Sequence, residues 1–229
     1  MPEAVIAPPD IRTDFERVDP QRVARAAAYQ SAILADVAGR RGTLHGRIAP
    51  LNPSMKVAGP ALTVEVRPGD NLMFHAALAI ANPGDVIVVD GRGDLSCALC
   101  GALMAAQARA MGLAGFVVDA AVRDTDELRG GEFPIFAAGA NPCGPTKGVG
   151  GRVNWPIAVG GVSVEPGDLI VGDADGVVAI PRERVDEVLE LAERKVVAER
   201  ERLDEIRAGK TVPDWLAGAL RAAGVRGAP

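Results

Sequence analysis

Aromatic side chains are scarce in this sequence: Phe, Trp and Tyr together make up 3% of its 229 residues. A core must therefore be built from Ala, Val, Leu and Ile, side chains that suit packed β/α layers better than a small aromatic-rich domain. Aromatics this sparse also cannot form a stacking platform for nucleobases. Basic charge is not concentrated either. Lys and Arg number 25 against 30 Asp and Glu, giving a formal net charge of −5. With no long Lys/Arg run, that balance argues against nucleic acid as the main partner, so an anionic ligand needs a local basic group. No stretch approaches the roughly 20 apolar residues of a membrane helix. The start, Met1 to Asp10, is Pro-rich and acidic, without the basic opening and apolar run of a signal peptide. Three cysteines are too few for a disulfide scaffold. A cytoplasmic, reduced setting away from membranes is the expectation.

What is present reads as one α/β domain over residues 21–209, preceded by an irregular arm (1–20) and followed by a tail (210–229) with a short helix. Apolar periodicity predicts a helix from Pro20 to Gly39. A Gly- and Pro-punctuated loop follows from Arg40 to Val57. Ala61–Val66 alternates like a strand, and Asn71–Ala81 reads as a buried helix. Val86–Val89, Phe116–Val118 and Phe133–Ala137 read as buried strands. Helices at Ala102–Met111 and Thr125–Arg129 separate them, the pattern of parallel β-α-β units. Val153–Pro181 changes character to short strands with Gly-rich turns, hence antiparallel hairpins. Arg182–Ala208 is a long charged helix with an apolar stripe of Val185, Val188, Leu189, Ala192, Val196, Leu203 and Ile206, and Gly209 is placed to end it.

The segment Asp85–Asp126 carries the chemistry. Its two strands lead into loops at their C-terminal ends, where β/α folds gather ligands. The amides of a helix start near Gly101–Met104 suit a carboxylate. Arg123 can add a bidentate contact, and Asp124 is a candidate ligand for a hard cation. From pattern alone the pair reads first as a surface Arg–Asp pair with Asp124 capping a helix. Glu199 falls on the apolar stripe of the long helix, where a carboxylate would need a cation or a metal-bound water; the alternative is a frayed, solvated edge. Cys97 and Cys100 form a C-x-x-C, read as small buried hydrophobes, with Cys143 alone in the loop NPCGP. His75 reads as a satisfied core histidine. Arg92-Gly93-Asp94 and the GDADG at 172–176 read as turns. No Ser-His-Asp set, phosphate loop or dinucleotide fingerprint occurs, and no lysine sits in an apolar strand as a Schiff-base lysine would.

The stretches PGDNLMFHAAL (68–78), NPGDVIVVDG (82–91), GLAGFVVDAAVRDTDEL (112–128) and GGVSVEPGDLIVGDADGVVAIP (160–181) resemble the 4-hydroxy-4-methyl-2-oxoglutarate and 4-carboxy-4-hydroxy-2-oxoadipate aldolases, whose fold is shared with the regulator of RNase E activity A. The resemblance spans roughly 33–209. It implies a layered α/β sandwich in which parallel β-α-β units are followed by antiparallel hairpins and a long C-terminal helix. It implies homotrimers or homohexamers with sites between subunits. It implies Mg²⁺ or Mn²⁺ held by Asp124, with substrate bound by Arg123. It places the pyruvate carboxylate on the amides of Gly101, Ala102, Leu103 and Met104, gives Asn71 a part in shaping the pocket, and has Glu199 of a neighbouring subunit reach the metal's water. The family's loop carries an acidic residue where this chain has Ala102. The expectation is a metal-dependent lyase for 2-oxo-dicarboxylic acids, working through a pyruvate enolate and keeping decarboxylation better than aldol cleavage. The competing expectation is a non-catalytic regulator of the same fold. A lyase or hydratase for another 2-oxo acid is the third.

Overall fold

The computed structural model describes residues 10–227; the acidic, Pro-rich start (1–9) lies outside the described residues. The helix expected over Pro20–Gly39 is two, α1 (Pro20–Ala26) and α2 (Ser31–Val37). Asp19 caps α1 by accepting from the amides of Gln21 and Arg22. The break comes at Gln30, which is extended. There the Ser31 amide and hydroxyl donate to the Asp173 carboxylate at 2.7 and 2.6 Å. A contact 142 residues away in sequence thus ends one helix and begins the next.

The central sheet is built from β2 (Val57–Glu65), β3 (Val86–Ala98), β4 (Gly115–Val122) and β5 (Ile135–Ala140). These run parallel in sequential order. Their crossovers are α3 (Leu72–Ile80), α4 (Ala102–Ala110) and α5 (Thr125–Gly130), the expected β-α-β units. β2 also pairs with the short antiparallel β6 (Arg152–Val153). Its first half pairs antiparallel with β9 (Leu169–Asp173), which forms a hairpin with β10 (Gly176–Ile180). β7 (Ile157–Val159) and β8 (Val162–Val164) make a second hairpin.

The sheet curls nearly shut. The segment read as loop joins its edges: Ala179 and Leu44 donate to the carbonyls of Gly42 and Val177, and Ala49–Pro50 (β1) pairs with β5. Gly42 permits the approach, since a Cβ there would lie 2.1 Å from the Ala179 carbonyl oxygen.

Strand alternation sorts the core. Val86 and Val88 point into the curl with Val117, Phe136 and Ile170, whereas Ile87 and Val89 face α3 and α4. Three of the eight aromatics meet on the helix-covered face: Phe116 packs edge-on against Phe74 and against Phe133, with ring centroids 4.9 Å apart in each pair. A third cluster joins β9 and β10 to α1, α2 and α6 (Val185–Arg207). The stripe of α6 is buried only through Ala192; Val196, Leu203 and Ile206 are exposed. A short α7 (Leu216–Ala222) follows in the tail. Among the described residues no helix is long and apolar enough to cross a membrane.

Candidate active site

β4 ends at Val122, and the next two residues turn its C-terminal edge into a site. The Arg123 amide donates to the Cys100 carbonyl at 3.0 Å, tying the end of β4 to the approach to α4. Asp124 has φ 58°, left-handed backbone that costs a non-glycine residue free energy and tends to persist where function uses it. It stands at the N-cap position of α5, yet its side chain caps nothing there. The carboxylate turns across to α4 instead, where its Oδ2 accepts from the Ala102 amide at 3.0 Å. Arg123 Nε lies 3.8 Å from the same oxygen, and both side chains are a little over 40% exposed. The helix-capping reading of Asp124 is therefore replaced by a contact between two loops.

Gly101 makes this meeting possible. A Cβ at that position would sit 2.3 Å from Asp124 Oδ2 and 2.9 Å from Arg123 Cγ. Beyond it, the first-turn amides of Leu103 and Met104 have no partner among the described residues, as expected at a helix start. Of the four amides assigned to a ligand carboxylate, that of Ala102 is occupied by Asp124. Asn71 is buried beside them. Its Nδ2 donates to the Leu99 carbonyl at 2.7 Å, while its Oδ1 has no partner among the described residues. Asn71 also lines a cleft, and a buried acceptor without a protein partner calls for a bound group or a water.

Asn71, Gly101, Leu103, Met104, Arg123 and Asp124 line one cleft of about 140 Å³, together with His75, Pro145 and Lys147; Ala102 is not among its lining residues. It admits a small metabolite and is below the size of a typical drug-sized site. Sequence reasoning missed Lys147 and misread His75, which is half-buried on the cleft wall and not sealed in the core. Burial, and then the charge of Lys147, hold its imidazole below the usual range. Lys147 is exposed and has no acidic partner among the described residues. Its loop is held by Asp70. That buried carboxylate accepts from Gly148, Val149, Leu72 and the Thr146 hydroxyl. Burial pushes the Asp70 carboxyl up, but these donors outweigh it and hold it below the ordinary range.

Glu199 is not among the cleft residues. It lies on the outer half of α6, exposed, with Lys195 Nζ at 3.3 Å; Lys195 also reaches Asp36. Within one chain the structure brings together Asn71, Gly101–Met104, Arg123 and Asp124, and leaves Glu199 apart. Arg92 and Gly93 form a left-handed bulge inside β3, and GDADG is the β9–β10 turn. Cys97 and Cys100 are buried, while Cys143 is exposed.

Among the described residues no three His, Cys, Asp or Glu side chains gather around a common point. A cation here would take one carboxylate from the chain, through the free Oδ1 of Asp124, and leave its other positions to water and ligand oxygens. Mg²⁺ accepts such a set, so the residues present fit it.

The Arg123–Asp124 pair thus faces a helix start at the C-terminal edge of a parallel sheet, the edge where α/β folds gather ligands. The chain belongs to the RraA-like family of aldolases and RraA proteins, which it matches over residues 24–179. A protein of Halalkalibacterium halodurans named "Putative 4-hydroxy-4-methyl-2-oxoglutarate aldolase" is 47% identical over 152 residues, 66% of this chain and 72% of that one. Protein DlpA of Legionella pneumophila is 34% identical over 160 residues, 67% of this chain but only 26% of its own length. The crystal structure of Streptomyces coelicolor RraAS2, described as an unusual member of the RNase ES inhibitor RraA family, superposes with a TM-score of 0.72 at 29% identity. That match covers 85% of this chain and 99% of that one.

Proposed function

We propose that this chain is a divalent-metal-dependent carbon–carbon lyase for 2-oxo-dicarboxylic acids, acting through a pyruvate enolate. One observation carries the reading. Asp124 is held in left-handed backbone with its carboxylate aimed at the start of α4, against a glycine that leaves it room. Mg²⁺ or Mn²⁺ on Asp124 would supply Lewis acidity to the 2-oxo group. The chain's own residues would do the rest. Leu103 and Met104 amides bind the substrate carboxylate, and the Arg123 guanidinium pairs with the oxygen that becomes negative as the bond to C4 breaks. Asn71 Oδ1 orients a donor on the ligand or a water. Lys147, a cation with no partner among the described residues, offers a contact to the far carboxylate.

Ala102 decides between reactions. Aldol cleavage needs a base for the C4 hydroxyl, and alanine supplies none; loss of CO₂ from oxaloacetate needs no such base. We therefore expect oxaloacetate decarboxylation to exceed cleavage of 4-hydroxy-4-methyl-2-oxoglutarate. Glu199 would enter from a neighbouring copy in a homotrimer or homohexamer, which would also cover the exposed stripe of Val196, Leu203 and Ile206. Pyruvate release from each substrate, with and without Mg²⁺ or Mn²⁺, tests the reading. Metal-dependent turnover abolished by Asp124→Ala supports it; no metal-dependent turnover of either substrate refutes it. A regulator of the same fold is the second reading, favoured by Ala102 and by the likeness to RraAS2. It predicts no metal binding that depends on Asp124.

A further inference from the structure

The loop from Asn141 to Thr146 crosses the end of β3 and carries a cysteine to another cysteine. The Ala98 amide donates to the Cys143 carbonyl at 2.8 Å, and Asn141 Nδ2 donates to the Leu95 carbonyl at 2.7 Å. Asn141 Oδ1 in turn accepts from the Cys143 amide at 2.8 Å, fixing the turn. These bonds bring Cys97 Sγ to 3.4 Å from Cys143 Sγ, with the Cys97 thiol 2.9 Å from the Gly144 carbonyl oxygen. A disulfide needs about 2.0 Å between sulfurs, so closure asks for a small shift of one exposed loop. Cys143 is exposed and Cys97 is buried behind it, the order in which an attacking thiol precedes a resolving one. The same loop touches the catalytic wall. A Cβ on Gly144 would lie 2.8 Å from Arg123 Nη1, and Pro145 and Lys147 line the cleft.

We propose that Cys97 and Cys143 are a reversible dithiol–disulfide pair that locks this loop beside Arg123. The oxidant is a small-molecule disulfide of the glutathione type. The Cys143 thiolate attacks it, forming a mixed disulfide and releasing one small thiol. Cys97 then loses its proton and attacks Cys143 Sγ, forming the intramolecular bond and releasing the second small thiol. Two electrons pass from the cysteine pair to the oxidant, and the two cysteine protons leave with the released thiols. Burial and the neighbouring Cys143 raise the Cys97 thiol, which keeps it protonated at rest and leaves the first attack to Cys143. Cys100, fully enclosed and pushed up to about 12, takes no part.

The full-length protein, equilibrated with oxidised and reduced glutathione at several ratios, is digested without reduction and its peptides are weighed. The expected product is one Cys97–Cys143 cross-linked peptide in the native chain and in Cys100→Ser, absent from Cys143→Ser and Cys97→Ser and reversed by dithiothreitol. Amide exchange across 143–147 should slow on oxidation. A stable mixed disulfide at Cys143, a cross-link between two chains, or unchanged exchange after the bond forms would each overturn the proposal. None of these readouts depends on turnover, so the lyase reading stands or falls separately.

Discussion

Two aspartates five residues apart, Asp119 within β4 and Asp124 just beyond its end, sit in opposite circumstances. Asp119 is 2% exposed and saturated: Arg47 grips both its oxygens at 2.8 Å, and Gly160 donates at 3.0 Å. Burial alone would raise its carboxyl, but Arg47 and the Gly160 amide outweigh burial and hold it low. Asp124 is half-exposed, accepts a single backbone bond, and sits in costly backbone. A carboxylate whose bonds are all made within the chain holds the chain together. One left open at a strand end, beside amides and a lysine that have no partner among the described residues, has valence for something else. The two should therefore respond oppositely to mutation.

Asp124→Gly gives the largest effect. Glycine accepts φ 58° freely, so stability should hold or rise by up to about 1 kcal/mol. Metal-dependent pyruvate release should fall roughly 100- to 1000-fold, the scale of losing one electrostatic stabiliser. A variant that keeps its turnover, or loses 2 kcal/mol or more by the measure of about 2–4 °C per kcal/mol in Tm, would break the contrast. Asp119→Ala is the mirror. It leaves Arg47 without its partner and Gly160 without an acceptor. The expected cost is about 3 kcal/mol, as for a part-buried pair broken on one side, read as a clear fall in Tm. An unchanged Tm would show that saturation of Asp119 contributes nothing.

The contrast explains what could be read in advance. The VIVVD and FVVD strands, their crossover helices and the Arg123–Asp124 turn follow from local pattern and strand-end geometry. Strand-end geometry puts residues 101–104 near Arg123 and Asp124, but carries no sign of the direct bond that uses the Ala102 amide. Features that depend on distant partners were not legible. The α1–α2 break needs Asp173, closure of the sheet needs Gly42 against Ala179, and Lys147 reaches the cleft only because Asp70 gathers the amides of 148 and 149. Periodicity carries no trace of such contacts. Nor can it say where the stripe of α6 stops being covered, which is why Glu199 could be read as either buried or solvated.

Asp168 lies between the two extremes and sharpens the comparison at smaller scale. It is buried, and its two backbone donors, Glu165 and Arg182, do not offset burial and the nearby Glu165 and Glu183 charges, so its carboxyl is pushed up to about 6. An acid raised on folding contributes stability that is complete below its unfolded value near 4 and is lost as pH rises through about 6. Chemical denaturation of the native chain should show a decline on the order of 2 kcal/mol between those limits. Asp168→Asn should flatten it. The saturated acids Asp70 and Asp119, whose carboxyls are depressed, act below that window: their contribution is present above about 4 and lost as pH falls further. A decline that survives in Asp168→Asn would assign it to another group.

The smallest effect concerns the open cation. Lys147 has no acid to answer it among the described residues, and its charge falls on His75 across the cleft. If the cleft is a site of unmet charge, that repulsion is felt by the imidazole. His75 should titrate below an ordinary histidine, through burial first and Lys147 second. Lys147→Met removes the second cause, so the midpoint should move upward while burial keeps it below the ordinary range. The chain has two histidines, so a His45→Asn variant assigns the signals in an NMR titration. A midpoint that stays put or moves down in Lys147→Met would mean that water already screens the lysine, and that the cleft is wetter than an enolate-stabilising site requires.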